Sequence, residues 1–239
     1  MEPMSDLYNT YVKFGIGNGI SPLLEVYYNS DRSKEFNYGG WFQSHSSIGK
    51  VKLSNGKRVE SNFGRIDMNV FGKKILKKSA LSVNAGFNKH KVTYYGYNIY
   101  TIEIVNPDTT PASQHYNQFH ADLDYYSTHT DSTHLNFAFK TGVNHLKDKF
   151  DMQETLLRLS LRMDKFLKED HFGGEFSIHQ YMKNTNLDSA NNTIITLSPW
   201  INLYGKQWRA YAGTRLVIDA NSSGNQSTFY PIGSLSYDV

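Results

Sequence analysis

The sequence predicts an all-β chain, an antiparallel up-and-down transmembrane β-barrel with about twelve strands, either whole or part of a larger barrel. Three observations predict it. Long segments place apolar or aromatic residues at every second position, the connections between them alternate in length, and the opposite strand faces carry many charges. One domain covers 1–239, a length that all-β barrels often fill as a single unit.

In the first segment Tyr8, Thr10, Val12, Phe14 and Ile16 share a face, with Asn9, Tyr11, Lys13 and Gly15 on the other. A strand returns to the same face every second residue, whereas a helix needs three or four. The pattern recurs with Phe36, Tyr38, Gly40 and Phe42, then with Leu81, Val83, Ala85 and Phe87, then with Leu135, Phe137, Phe139 and Val143. It returns with Ile195, Leu197, Ile201 and Leu203, and again with Trp208, Ala210, Ala212, Leu216 and Ile218. Aromatic residues at 14%, with only 6 Pro, suit pleated surfaces.

The predicted strands are 8–16, 20–29, 35–46, 61–72, 79–94, 114–126, 133–144, 153–167, 172–182, 193–204, 207–219 and 228–238. Most are longer than the five or six residues usual in globular sheets, and a tilted strand needs about 9–11 residues to cross the apolar zone of a bilayer. After even-numbered strands the connections are short: Asp31 to Lys34, Lys73 to Lys78, Ser127 to Ser132, Lys168 to His171, and Gly205 with Lys206. After odd-numbered strands most are longer: Ser47 to Glu60, Tyr95 to Ser113, His145 to Met152, Lys183 to Asn192, and Ala220 to Ser227, with Gly17 to Gly19 as the exception. In a meander the two sets lie at opposite ends, and one trimmed end with one elaborated end is the asymmetry of outer-membrane barrels. Gly17-Asn18-Gly19 and Ser54-Asn55-Gly56 supply the positive φ that hairpin turns require, and Gly39, Gly40, Gly64, Gly86 and Gly213 inside strands mark bends or close packing.

The stretch Thr155 to Phe166, TLLRLSLRMDKF, decides where charges point. Helical spacing scatters its leucines, while period two gathers Leu157, Leu159, Leu161 and Met163 and leaves Leu156, Arg158, Ser160 and Arg162 opposite. An Arg or Lys facing hydrocarbon at mid-depth costs about 2–4 kcal/mol. The charged faces therefore belong in the barrel interior, and the lumen-facing polar candidates are Arg65, Asp67, Asp122, Asp124, Lys140, Arg158, Arg162, Glu175, His179, Arg209 and Arg215. Mixed signs there either pair into a network that closes the interior or line a watery path.

Composition removes several function classes. The absence of Cys excludes disulfides, thiolate zinc sites and cysteine nucleophiles, and a net charge of +3 without a concentrated basic segment gives no nucleic-acid partner. No run approaches the length of a membrane-spanning helix, and MEPMSDLYNT lacks the basic and apolar regions of a signal peptide. A mean hydropathy of −0.53 is compatible with a membrane barrel, whose strands are half polar.

The segment YVKFGIGNGISPLLEVYYNSDRSKEFNYGGWFQSHSS, followed by FGKKILKKSALSVNAGFNKHKVTYYGY, resembles the barrel portion of TonB-dependent-receptor-like outer-membrane proteins of Bacteroidota, over about residues 8–97. The resemblance implies a bacterial outer-membrane location, the lipid bilayer as surroundings, and passage of small solutes or surface binding, with receptor-like uptake of a cargo it does not name. No plug domain or energy-coupling box is recognisable, twelve strands fall short of the 22-stranded transporter barrel, and SLSYDV ends in Val239 rather than an aromatic residue. A truncated barrel or a smaller relative is expected.

The remaining motifs have plain readings. His115, His120, His129 and His134 lie near Asp122, Asp124 and Asp131, a set that could ligate a metal, but a hairpin turning near His129 leaves His115 far away, so a polar face with a solvated turn is expected and no metal or cofactor is assigned. Gly15-Ile16-Gly17-Asn18-Gly19 is followed by Pro22 rather than a helix and reads as a turn. Lys73-Lys74 and Lys77-Lys78 form a solvated basic turn. Trp41, Trp200 and Trp208, with Tyr94, Tyr95, Tyr97, Tyr204 and Tyr211, are candidates for interfacial aromatic girdles. No GxSxG elbow or other spacing singles out a nucleophile, so no catalytic residue is assigned. Three alternatives stand beside a non-enzymatic barrel. One is a barrel subunit scaffolding other outer-membrane proteins through 95–113, one is a phospholipid hydrolase pairing a serine with His120 or His179, and one is a soluble glycan-binding sandwich.

Overall fold

The computed structural model describes residues 8–31, 33–53, 56, 58–94, 113–129, 133–184, 191–221 and 224–237. All regular structure among them is strand. The elements are β1 (Thr10–Gly17), β2 (Ser21–Asn29), β3 (Phe36–Ser47), β4 (Lys50–Lys52), β5 (Arg58–Glu60), β6 (Phe63–Ile75), β7 (Ser79–Thr93) and β8 (Ser113–Ser127), followed by β9 (Asn136–Asp148), β10 (Gln153–Leu167), β11 (Asp170–Asn184), β12 (Asn192–Tyr204), β13 (Trp208–Asn221) and β14 (Gly224–Tyr237). Twelve of them form one antiparallel sheet in the order β1-β2-β3-β6-β7-β8-β9-β10-β11-β12-β13-β14. Each strand pairs with its chain neighbour, which is the up-and-down architecture of a β-barrel. The β4–β5 hairpin forms a second sheet inside the connection from β3 to β6. No pairing joins β1 to β14 among the described residues.

The twelve long strands coincide with the twelve that alternation predicts, to within a few residues at each end. The β4–β5 hairpin is an addition: three residues per strand are too few for a period to register. Connection parity is weaker than expected. The connections 48–62 and 94–112 are long, but β9 and β10 are separated only by 149–152, and β13 and β14 only by 222–223. Conversely 128–135 is longer than its predicted counterpart. The reason is that backbone pairing continues past the last apolar residue, as in Ala220↔Asn225 and Asn221↔Gly224, where polar side chains hide the strand from an alternation count. The predicted ribbon in 95–113 lies outside the described residues, apart from Ser113 in β8.

The turn at 18–20 places Gly19 at φ 72° and, unexpectedly, Ile20 at φ 54°. The first suits glycine; the second forces a β-branched side chain into the left-handed region.

Cross-strand register assigns every side chain of the sheet to one of two faces. Leu157, Leu159, Leu161 and Met163 share a face with Phe139, Val143, Ile178 and Phe176, and the face continues to Leu123, Ala85, Val70 and Phe42. This apolar face is the exposed one: Val70 is 63% exposed, Met68 42%, Leu157 40% and Leu197 47%. The only buried hydrophobic residue among those described is Ala80, whereas Asp67, Ser79, Thr93 and Asp148 are buried. The accessible surface is 17696 Å², against about 11,000 Å² for a compact soluble protein of this mass. The usual arrangement of apolar interior and polar exterior is inverted.

The crowding at glycines shows which face is concave, since side chains converge on the inside of a curved sheet and diverge outside. On the polar face a Cβ at Gly86 would meet His120 at 2.4 Å, at Gly142 it would meet Asp122 at 2.1 Å, and at Gly173 it would meet Trp200 at 2.7 Å. Gly39 and Gly213 are crowded too, by Phe71 at 2.8 Å and the Tyr211 hydroxyl at 3.0 Å. On the apolar face Gly64 meets nothing within 4 Å, and Gly72, Gly174 and Gly233 have first neighbours at 3.5, 3.6 and 3.7 Å. Two glycines depart from the pattern: Gly40 on the apolar face, 2.8 Å from the Asn69 carbonyl, and Gly15 on the polar face of the edge strand β1, whose first neighbour is Leu23 at 3.9 Å. The polar face is the inner one.

Candidate functional site

All eleven polar residues singled out by alternation fall on the inner face. Asp122 stands opposite Gly142, which stands opposite Arg158, which stands opposite His179. One row along, Asp124, Lys140, Ser160 and Ser177 follow one another across β8 to β11. A third row places Arg162 opposite Glu175. Arg65 and Asp67 lie on β6, Arg209 and Arg215 on β13, away from this centre.

Three ion-pair clusters tie the face together. Arg158 Nη2 donates to Asp122 Oδ1 at 2.6 Å, spanning from β10 to β8 over Gly142. Arg65 and His90 both engage Asp67, whose side chain is 3% exposed, with His90 Nε2 at 3.3 Å. Asp164 receives His171 Nε2 at 2.9 Å and the Asn136 amide at 3.2 Å, with Arg162 Nε 3.6 Å away. Further hydrogen bonds lie on the same face: the Asn69 amide to Asn84 at 2.7 Å, the Gln118 amide to Asn144 at 3.0 Å, and the Arg215 guanidinium to the Ser198 hydroxyl at 3.3 Å. Asp67, Asp122 and Asp164, the carboxylates of these clusters, are each matched by an opposite charge or an amide, as a partly buried polar wall requires.

His90, Asp164 and His171 complete two of the clusters and escaped the sequence reading. Strand parity places each on the charged face, so the signal was available; what alternation lacks is the cross-strand register that makes Asp67 and His90 neighbours.

The centre of the face is open. A hollow of about 490 Å³ is lined by Asp122, Asp124, Lys140, Arg158, Glu175 and His179 among others. A second, of about 680 Å³, shares Asp124, Lys140, Ser160 and Glu175 and extends to Arg162 and Asp164. Toward the β10–β11 turn the same face carries rings: His171 stacks on Phe166 at 3.9 Å and meets the Trp200 edge at 4.8 Å, and Trp200 stacks with Tyr211 at 6.4 Å.

Those rings correct the girdle expectation. Trp41, Trp200, Tyr204 and Tyr211 point to the polar face, as their register with Asn69, Gly173, Arg209 and Asn202 dictates. Tyr95 and Tyr97 lie outside the described residues. Trp208 of the expected set does face outward, in a band with Tyr28, Phe36, Tyr38, Tyr125, Phe172 and Tyr237 on the apolar face, all at the end of the sheet that carries the β2–β3, β8–β9, β10–β11 and β12–β13 turns. Tyr38 lies 6.1 Å from Tyr28 and 5.5 Å from Phe36. At the opposite end the same face turns polar, with Ser44, Ser46, Lys89, Lys91, Asn117 and Gln180. Strands thus run beyond the apolar band at one end only.

The histidines of 115–134 are dispersed. His115 stands opposite Lys91 on the apolar side of β7–β8, His120 points to the polar face over Gly86, and His129 stacks on His134 at 4.5 Å. Among the described residues no three His, Asp or Glu side chains converge in a metal-binding group. Among the described residues no helix is long and apolar enough to cross a membrane, which says nothing of strands. No protein-family model and no curated protein matches the chain.

Proposed function

We propose that the protein is a bacterial outer-membrane β-barrel, non-enzymatic, whose apolar face meets lipid and whose polar face lines an aqueous interior for passage or binding of small polar solutes. One observation carries this reading: the apolar side chains are exposed on the convex face while the charges gather on the concave one, several of them in ion pairs. Exposing such a band to water would be costly at about 25 cal/mol per Å², and a bilayer removes that cost. The one-sided aromatic band at a membrane–water boundary adds support, as does the resemblance of residues 8–97 to TonB-dependent-receptor-like barrels of Bacteroidota.

The test is extraction followed by bilayer recording. The protein should leave the membrane only with detergent and should give discrete conductance steps in a planar bilayer. A protein that stays monodisperse in detergent-free buffer would contradict the reading.

A second reading, a barrel subunit that scaffolds a larger outer-membrane assembly, is favoured by β14. All its residues are exposed, and among the described residues no strand pairs with its outer edge, the side on which another strand would add. Purification from native membrane without a stoichiometric companion would count against it.

A further inference from the structure

Lys140, Asp124 and Glu175 share the inner face with charges that are already engaged. Arg158 is bound to Asp122 at 2.6 Å, and Arg162 leans on Asp164 at 3.6 Å. Lys140 stands directly opposite Asp124 across β8–β9 and opposite Ser160 across β9–β10, while Glu175 stands opposite Arg162 one row along. Yet among the described residues no ion pair within 4.0 Å joins Lys140 to Asp124 or Arg162 to Glu175. Lys140 and Glu175 are exposed, and Lys140, Asp124, Ser160 and Glu175 line both hollows.

We infer that this patch holds the two ends of a small zwitterion of the amino-acid class. The ammonium of the solute meets the Glu175 carboxylate, and its carboxylate meets the Lys140 ammonium beside the Ser160 hydroxyl, with Asp124 on the far side of Lys140. The inference rests on the reading that the polar face lines an aqueous interior.

The charge pattern selects this class. A simple anion drawn to Lys140 is repelled by Asp124 on the adjoining strand, and a simple cation drawn to the carboxylates is repelled by Lys140, so attraction and repulsion nearly cancel. A neutral solute makes only uncharged hydrogen bonds, about half as strong as charge-assisted ones. A solute carrying both charges a few ångströms apart gains at both ends and repels at neither.

The test uses the full chain in lipid vesicles and compares influx of alanine with lactamide, lactate and alaninamide, which match it in size and differ in charge. Alanine influx should saturate with concentration and at low concentration exceed lactamide influx about fivefold, the product of two solvent-exposed charge contacts. In the Asp124→Asn, Lys140→Gln double variant the ratio should fall to about one with lactamide influx unchanged. Glu175→Gln, on a different strand, should lower the ratio independently if the double variant does not assemble. Equal and unsaturated entry of alanine and lactamide would overturn the zwitterion site and leave the aqueous interior standing. Faster entry of lactate or alaninamide than of alanine, or a ratio unchanged in the variants, would overturn it too. Vesicles closed to all four solutes would overturn the aqueous reading and the site with it.

Discussion

Arg158 reaches Asp122 at 2.6 Å across the backbone of Gly142, the residue opposite both on the strand between them. A Cβ at Gly142 would lie 2.1 Å from Asp122 Oδ1 and 3.2 Å from both Arg158 Nη2 and the Ala121 carbonyl. Gly142→Ala should therefore cost about 1–3 kcal/mol, the usual range for an overpacked site. In an Asp122→Ala background most of that cost should vanish, because the side chain in the way is gone. Urea denaturation of the four proteins in vesicles gives the coupling directly; additive effects would mean that Gly142 is not a saddle for the ion pair.

The pair itself should contribute little stability. Its side chains are 41% and 33% exposed, so solvent screens the attraction, and Asp122→Asn or Arg158→Gln should each change stability by about 1 kcal/mol or less. The larger effect is expected on ion selectivity. Replacing Arg158 and Arg162 together with Ala should shift the reversal potential toward cations, and an unchanged potential would make both arginines bystanders.

Facing can be tested with one side chain. Leu159→Arg puts a cation on the exposed apolar face and should cost about 2–4 kcal/mol if that face meets hydrocarbon. Ser160→Arg, one position on, adds the same cation to the inner face and should cost far less. Equal costs would contradict the assignment of faces.

Much of this was legible beforehand, because period two needs only one strand. Leu157 and Arg158 part company in any strand, and all eleven polar positions landed on one face for that reason. What stayed hidden depends on register or on side chains beyond the apolar band. The His171–Asp164 contact needs β10 paired with β11 at a particular offset, and the extension of β14 back to Gly224 runs through Asn225 and Gln226, which carry no apolar signal. Trp200 misled because a large ring near the end of a long strand suggests an interface, yet its parity with Ser198 and Asn202 places it inside.

Ile20 offers a gain. At φ 54° and 67% exposed, it holds a strained backbone with little burial in return. Ile20→Gly should stabilise the β1–β2 hairpin by about 1 kcal/mol, read as a higher urea midpoint; a lower midpoint would mean that its side chain matters more than its backbone.

The β9–β10 turn should depend on Asp148 and tolerate mild acid. Asp148 Oδ1 accepts the Phe150 and Met152 amides at 2.8 and 2.9 Å, so Asp148→Ala should cost about 1–3 kcal/mol. In the same turn a hydrogen bond and the positive charge of Lys147, 2.8 Å away, hold the Asp151 carboxyl below its ordinary pKa. A lowered carboxylate pKa supports the turn above the ordinary carboxylate range, and the support is lost as pH falls through the lowered value. Amide exchange in 149–152 should stay protected at pH 5 and rise only below the ordinary carboxylate range; a rise already near neutrality would contradict this.

The absence of native Cys permits the most direct test, a spin-label scan through Leu157, Arg158, Leu159, Ser160, Leu161, Arg162 and Met163 in lipid vesicles, each replaced singly by Cys. Collision with oxygen, which concentrates in hydrocarbon, should peak at 157, 159, 161 and 163. Collision with a water-soluble nickel chelate should peak at 158, 160 and 162. Two profiles alternating in opposite phase are the expected result; profiles that stay flat, or that rise and fall together, would contradict a strand with lipid on one side and water on the other.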